Sequence, residues 1–99
     1  MNQNPLEVIK NNDTELFNTI GAARSLAFQE GPLSLKHKLL IALALDAAHG
    51  AANGVKSLAK QALDAGATKA EITDALRVAY FITGVGSIYT AAQGLQEIF

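Results

Sequence analysis

The residues best suited to chemistry lie near the middle of the chain, in and just before the segment HGAANGVKSL, which runs from His49 to Leu58. His49 is one of two histidines in the sequence, and Asp46 precedes it by three residues, or about one helical turn. An imidazole beside a carboxylate is suited to act as a general acid or base near neutral pH. We therefore predict that His49 is the catalytic residue of this segment and that Asp46 orients it.

The small residues that follow His49 predict a binding site for an anion. If a helix begins between Ala51 and Gly54, its first backbone N–H groups have no partner within the helix, and the helix dipole places partial positive charge there. Small side chains at Ala51 and Gly54 would let a carboxylate approach the backbone closely. The segment is thus predicted to bind a small carboxylate or lactone acid, with His49 in position to protonate it.

These residues also have purely structural interpretations. A histidine at the end of a helix is often a C-terminal cap that the helix dipole favours. Asp46 is equally able to pair with Lys56, to contact a neighbouring subunit or to face solvent. Tyr80 is predicted to line the binding pocket, together with Phe81 and Tyr89 near a glycine turn, although aromatic residues at helical spacing more often belong to a core.

No pattern in the sequence indicates a metal or a cofactor. The two histidines lack the His-x-x-x-His spacing of a metal site, and His37 lies between two lysines, which is typical of a solvated helix face. Gly84 and Gly86 follow a predicted helix and precede no Lys-Ser/Thr pair, so they do not form a phosphate loop. We predict close helix packing at these two glycines, and we predict neither metal nor cofactor.

The elements that must position these residues are all helices. The stretch LKHKLLIALALDAA (Leu35 to Ala48) has apolar residues in every direction, which predicts a central helix buried on all sides. Helix caps are predicted at Asp13 and Ser34, and Thr68 with Glu71 forms a capping box. No stretch shows the sustained alternation of a strand. We predict an all-α fold of five to six helices in a single domain, residues 1–99.

Composition restricts the partners of the chain. Of the 99 residues, 49% are hydrophobic and 17% are charged, whereas about 25% are charged in an ordinary soluble domain. A monomer this small would expose apolar helix faces, which predicts a homo-oligomer. The net charge of -1, with scattered lysines and arginines, argues against nucleic acid, and the longest apolar run is too short to cross a membrane. The N-terminal residues lack a signal-peptide pattern, so we expect a cytoplasmic location.

The chain contains the stretches GPLSLKHKLLIALALD (Gly31 to Asp46) and QALDAGATKAEITDALRVAY (Gln61 to Tyr80), followed by the glycine turn TGVGS (Thr83 to Ser87). Together these stretches resemble the carboxymuconolactone decarboxylase family, which includes the alkylhydroperoxidase D-like proteins. The resemblance implies an all-helical subunit built around a central buried helix hairpin. It also implies assembly into a homo-trimer or a homo-hexamer.

The functional residues of that family are not retained at the matching positions. In its peroxidase-like branch, Cys-x-x-Cys is followed after three residues by His, with a Glu on the preceding helix. The matching positions hold Ala51, Gly54, Leu58 and Leu39. The decarboxylase branch lacks the cysteine pair but generally keeps the His, which is again Leu58. These 99 residues contain no cysteine, so they supply no thiolate to reduce a peroxide.

Two functions therefore remain open for the sequence. The first is a divergent enzyme, to which the family would lend the label of a decarboxylase or a peroxiredoxin, acting on a small carboxylate by acid–base chemistry through His49. The second is a non-catalytic oligomeric module with a structural or small-ligand-binding role, which has kept the fold and lost the chemistry.

Overall fold

The computed structural model describes residues 4–99, which form six α-helices and no strand. The helices are α1 (Glu7–Asn12), α2 (Thr14–Phe28), α3 (Leu35–Ala48), α4 (Ala52–Asp64), α5 (Lys69–Thr83) and α6 (Gly86–Leu95). The prediction of an all-α fold with five to six helices is confirmed. None of the described helices combines the length and apolar character that crossing a bilayer requires.

Contacts divide the chain into two compact units, of which the first ends at Gly31 and the second is Pro32–Phe99. The prediction of one domain over residues 1–99 stays a prediction. The first unit is a pair of packed helices, α1 and α2. The Asp13 carboxylate accepts a hydrogen bond from the Leu16 backbone N–H at 2.9 Å, so it caps α2 as predicted.

In the second unit, α3 packs against α4, α5 and α6, and α6 also contacts α4 and α5. The α3–α4 hairpin is central to this packing, as the resemblance implied. The buried side chains of α3 are Leu39, Leu43 and Ala47, which recur every four residues along one stripe. Ile41 and Leu45, on other sides of the helix, are about half exposed. The prediction that α3 is buried on all sides is therefore wrong for the single chain, because apolar residues all round a helix do not specify how many neighbours cover it.

Local caps fix where the helices of the second unit begin. The Ser34 hydroxyl accepts from the His37 backbone N–H at 3.3 Å at the start of α3. At the start of α5, the Thr68 hydroxyl accepts from the Glu71 N–H at 3.0 Å, and the Glu71 carboxylate accepts from the Thr68 N–H at 2.9 Å. The predicted Ser34 cap and capping box are both confirmed.

The glycines of the turn before α6 do not pack closely, which corrects the prediction made for them. A side-chain Cβ at Gly84 or Gly86 would meet nothing within 4 Å. Gly84 instead has a φ of 96°, in the left-handed region that side chains disfavour, so its role is to turn the chain at the end of α5. Close approach occurs at two other glycines, Gly54 and Gly94.

Candidate functional site

The junction between α3 and α4 is shorter than the sequence suggested. His49, Gly50 and Ala51 alone connect the two helices, and Gly54 lies in the first turn of α4. The Ala51 backbone N–H donates to the Asp46 carbonyl at 2.9 Å, which holds the turn against the end of α3. Ala51 itself is the N-cap of α4 and offers no side-chain hydrogen bond to the helix.

Two of the predicted site residues, Asp46 and Gly54, are in direct contact. The Asp46 carboxylate lies so close to the Gly54 Cα that a Cβ at position 54 would overlap carboxylate oxygen Oδ2, and it would also come within 2.8 Å of Cγ. Asp46 is partly buried there. Its negative charge therefore sits beside the first turn of α4, where the helix dipole is positive and no side-chain cap is present.

The Asp46 carboxylate has no cationic partner among residues 4–99. Lys56, one of the alternatives that the sequence left open, pairs with Glu97 at 3.2 Å instead. The Asp46 carboxylate therefore lies against Gly54 without an ion pair among the described residues.

His49 is the C-cap residue of α3, and its side chain is exposed. Its backbone N–H donates to the Leu45 carbonyl at 3.0 Å. Within the described part of the chain, no hydrogen bond joins the imidazole to the Asp46 carboxylate. The two predicted partners are thus one helical turn apart and both reach solvent, yet the carboxylate does not orient the ring.

Tyr80 lies on α5 and is about half exposed, so the alternative that placed it in the core is wrong. Phe81 and Tyr89 are more exposed still, at 84% and 75%. Nothing in the described residues bonds the Tyr80 hydroxyl to His49 or Asp46. The structure therefore brings Asp46, Ala51 and Gly54 together at the junction, with His49 beside them, and gives Tyr80 no hydrogen bond to that group.

Sequence reasoning missed an electrostatic contact between the starts of α3 and α5. The Lys36 ammonium donates to the Glu71 carboxylate at 3.0 Å. This hydrogen bond, reinforced by the one from the Thr68 backbone N–H, lowers the pKa of Glu71 below its ordinary value. The capping-box pattern in the sequence predicted the bond from Thr68 to Glu71. It could not predict the pairing of Glu71 with Lys36, which lies 35 residues earlier, because that pairing depends on how the helices pack.

Two surface depressions of the described chain lie away from the junction. A groove of about 370 Å³ runs between α5 and α6 and is lined by Thr73, Leu76, Ile88, Ala91, Ala92, Leu95, Gln96 and Phe99. A second, more polar depression lies along α5 between Ala70 and Arg77. Residues 4–99 contain no group of three or more His, Asp or Glu side chains placed to hold a metal ion.

Chemically, the junction offers an exposed imidazole, a carboxylate and the first backbone N–H groups of α4. It provides no thiol, since the chain has no cysteine, and the nearest hydroxyl along α4, that of Ser57, is a full turn further on. Proton transfer to or from a small bound molecule is the chemistry that these groups are able to support.

Comparisons with known proteins agree with this architecture. The model of the carboxymuconolactone decarboxylase family matches residues 14–97. The chain is 29% identical over 93 residues to uncharacterized protein MJ1511 of Methanocaldococcus jannaschii, covering 94% of this chain and 87% of that protein. The crystal structure of apo-lpg0406, a carboxymuconolactone decarboxylase family protein from Legionella pneumophila, superposes with a TM-score of 0.85 at 26% identity, over 92% of this chain and 81% of that one.

Proposed function

Because the chain belongs to the carboxymuconolactone decarboxylase family, we propose that it is a homo-oligomeric member of that family whose junction serves a structural or small-ligand-binding role without thiol chemistry. The observation that carries the proposal is the contact between the Asp46 carboxylate and Gly54. The resemblance aligns Gly54 with the second cysteine of the peroxidase-like branch. In this chain a carboxylate of the same subunit occupies the space beside that position.

The charge of Asp46 supports this proposal. A substrate carboxylate that approached the N-terminus of α4 would meet a second carboxylate already placed there. Two like charges in a partly buried site repel each other, and the repulsion opposes the anion binding that the bare helix end would favour. The junction is thus better suited to holding α3 against α4 than to capturing an anionic substrate.

Assembly into a homo-trimer or homo-hexamer belongs to the same proposal. Many large apolar side chains are about half exposed or more in the single chain, and they include members of α3, α5 and α6. Burying such surface between subunits is the usual reason for its presence. A cytoplasmic location, expected from the sequence, is proposed with it.

Turnover and mass test the proposal. With an organic hydroperoxide and an added dithiol, we expect no turnover above the protein-free rate, with a cysteine-dependent alkylhydroperoxidase as the positive control for the assay. Robust turnover would contradict the proposal. By light scattering at micromolar concentration we expect a mass three or six times the subunit mass of 10.4 kDa. A monomer would overturn the assembly.

The second candidate function is acid–base chemistry on a small carboxylate, with His49 as the catalytic residue and Asp46, Ala51, Gly54 and Tyr80 as binding residues. The exposed imidazole favours it. A protonated imidazole is able to pair with a carboxylate and to deliver its proton.

Nuclear magnetic resonance of the two histidine rings separates the candidates. If the second candidate is right, titrating acetate or succinate into the protein shifts the His49 ring signals saturably. His37 serves as the internal control, because its ring nitrogen Nδ1 is 2.7 Å from the Ser34 hydroxyl, away from the junction. If His49 responds no more than His37, the second candidate fails.

A further inference from the structure

The end of α5, the turn after it and the start of α6 form an apolar surface, here called the α5–α6 corner. Its members are Val78, Phe81, Ile82, Val85 and Tyr89. All five side chains are more than half exposed, and Phe81 is the most exposed large hydrophobic residue of the described chain. Contiguous apolar surface of this kind usually marks a binding site for another molecule.

The solvent side of α5 changes character along its length. Asp74, Val78 and Ile82 follow one another at four-residue spacing and so lie on one face of the helix. Asp74 and its neighbour Arg77 are charged and exposed, whereas no charged residue occurs from Val78 to Gln96. The solvent side of α5 is thus polar in its first half, whereas its second half exposes apolar residues to solvent.

We propose that the α5–α6 corner is the surface through which one copy of the chain contacts a second copy. The inference rests on the self-association proposed above and adds which face carries it. In a two-fold contact between identical subunits, of the kind that joins two trimers into a hexamer, each patch meets its own equivalent, so a charged patch would repel itself. The corner carries no charge and meets this requirement.

The exposed area of the corner also supports a second copy of the chain as the partner. An aromatic side chain offers roughly 150–250 Å² of surface, so two aromatic and three aliphatic side chains at these exposures present on the order of 600 Å². A standard interface buries about 800 Å² per partner, and aromatic residues are enriched at the core of such interfaces. The corner therefore supplies most of the area that one stable contact needs.

The charges around the corner make a membrane surface the less favoured partner. Helices that lie on membranes carry several lysines or arginines on their polar side. Here Arg77 precedes the corner, and the next charged residue along the chain is Glu97. A lipid surface would find little basic charge to attract it, whereas a second copy needs none.

Cross-linking tests this surface directly, because the chain has no cysteine of its own. In Phe81→Cys and Tyr89→Cys, the introduced residue is the only thiol, and a short bis-maleimide can join two copies only where their thiols are close. We expect a dimer-sized product at least tenfold more abundant than in the control Lys60→Cys, whose thiol would lie at an exposed position on α4. A product no greater than in the control, from protein that light scattering shows to be oligomeric, would overturn the corner as the interface while leaving self-association standing.

A double variant tests the same surface without relying on thiol reactivity. The double substitution Phe81→Ser with Tyr89→Ser is expected to raise the dissociation constant of assembly at least tenfold, measured by analytical ultracentrifugation. Arg77→Ala, one turn before Phe81 and outside the corner, is expected to change this dissociation constant by less than twofold relative to wild type. An unchanged dissociation constant in the double variant would contradict the inference. So would a monomeric wild-type protein that co-sediments with phosphatidylcholine–phosphatidylserine vesicles and loses this binding in the double variant.

Discussion

Glycines lie at or near both the α3–α4 junction and the α5–α6 corner, yet the chain surrounds these glycines differently. At the junction, the Asp46 carboxylate contacts Gly54, and a Cβ at Gly94 of α6 would lie 2.5 Å from the Ala52 carbonyl oxygen. At the corner, a Cβ at Gly84 or Gly86 would meet nothing within 4 Å. Gly54 and Gly94 are thus enclosed by contacts within one subunit, whereas Gly84 and Gly86 at the corner are open, as is Gly50 within the junction itself.

This difference shows that glycine marks two unrelated physical requirements. At Gly54 and Gly94, the lack of a side chain allows other parts of the chain to come close. At Gly84, the lack of a side chain allows a left-handed turn in open space. Close to the region that resembles an active site, α4 is tightly packed at Gly54, whereas the surroundings of Gly84 and Gly86 are open.

Among the glycines compared, the largest effect is expected at Gly94, where the neighbouring atoms include backbone that cannot move easily. Gly94→Ala would press a methyl group against the Ala52 carbonyl oxygen and the Val55 side chain. We expect the free energy of unfolding to fall by about 2–3 kcal/mol, in the range of overpacked cores. Urea denaturation measures this free energy.

The matched control is Gly86→Ala, for which a change in the free energy of unfolding of about ±0.5 kcal/mol is expected because its surroundings are empty. Equal losses in both variants would remove the contrast between the two regions.

A smaller loss is expected at Gly54, because the obstructing group is a flexible side chain. Gly54→Ala should lower the free energy of unfolding by about 1 kcal/mol, as the new methyl group displaces the Asp46 carboxylate. Combining it with Asp46→Ala should make the double variant more stable than the sum of the single effects predicts, by at least about 0.5 kcal/mol. Strict additivity in this double-mutant cycle would show that the two residues do not meet.

A pH-dependent effect is expected at the start of α5, the end of that helix away from the corner. The Lys36 and Thr68 donors lower the pKa of Glu71, so the ionised carboxylate stabilises the folded state above its ordinary pKa of 4.5. This contribution is lost as the pH falls below that value and through the lowered pKa. Glu71→Gln should therefore unfold at lower urea than wild type at about pH 7, and the difference should shrink at about pH 3.

Asp74→Asn provides the matched control for that measurement. Asp74 lies on the same helix, is well exposed and only reaches Arg77 at 4.0 Å, a distance typical of a weak surface pair. Its effect on the urea midpoint should be smaller and should change little with pH. If Glu71→Gln shows no greater pH dependence than Asp74→Asn, the contact with Lys36 does not hold the two helices together.

The smallest effect is expected at the corner itself. Below the concentration at which the subunits associate, Phe81→Ser should change the free energy of unfolding by no more than about 0.5 kcal/mol, because the ring contributes little to the fold of one chain. The fully buried Leu43 provides the contrast, since Leu43→Ala should cost about 2–5 kcal/mol. A large loss for Phe81→Ser in the dissociated protein would mean that the corner packs within the subunit after all.

Local signals in the sequence predicted the helices well. The caps at Asp13 and Ser34 and the box of Thr68 with Glu71 act over three or four residues, so neighbouring residues suffice to recognise them. The exposure of Ile41, Tyr80 and Phe81 was not predictable in this way, because a helix that is apolar on several sides does not reveal which side another helix covers. The long uncharged run after Arg77 was the available signal.

The sequence predicted which residues lie at the candidate site but not which of them contact one another. Spacing placed Asp46, His49 and Gly54 near one another, since all three flank a short break between helices. It did not predict that the carboxylate turns toward Gly54 rather than toward the imidazole, because that choice depends on how α3 and α4 pack. Whether His49 takes part in chemistry stays a prediction for the resonance experiment.

The contact between Asp46 and Gly54 also has a consequence for how the chain can evolve. Any side chain larger than hydrogen at position 54 has to displace the carboxylate, so the two positions cannot change independently. A lineage acquiring a cysteine there would do so most readily after Asp46 had been replaced, and the reverse order would pass through a less stable intermediate. The order of substitutions is therefore constrained by a single steric contact, and a route to a thiol at position 54 would begin with a substitution at another residue.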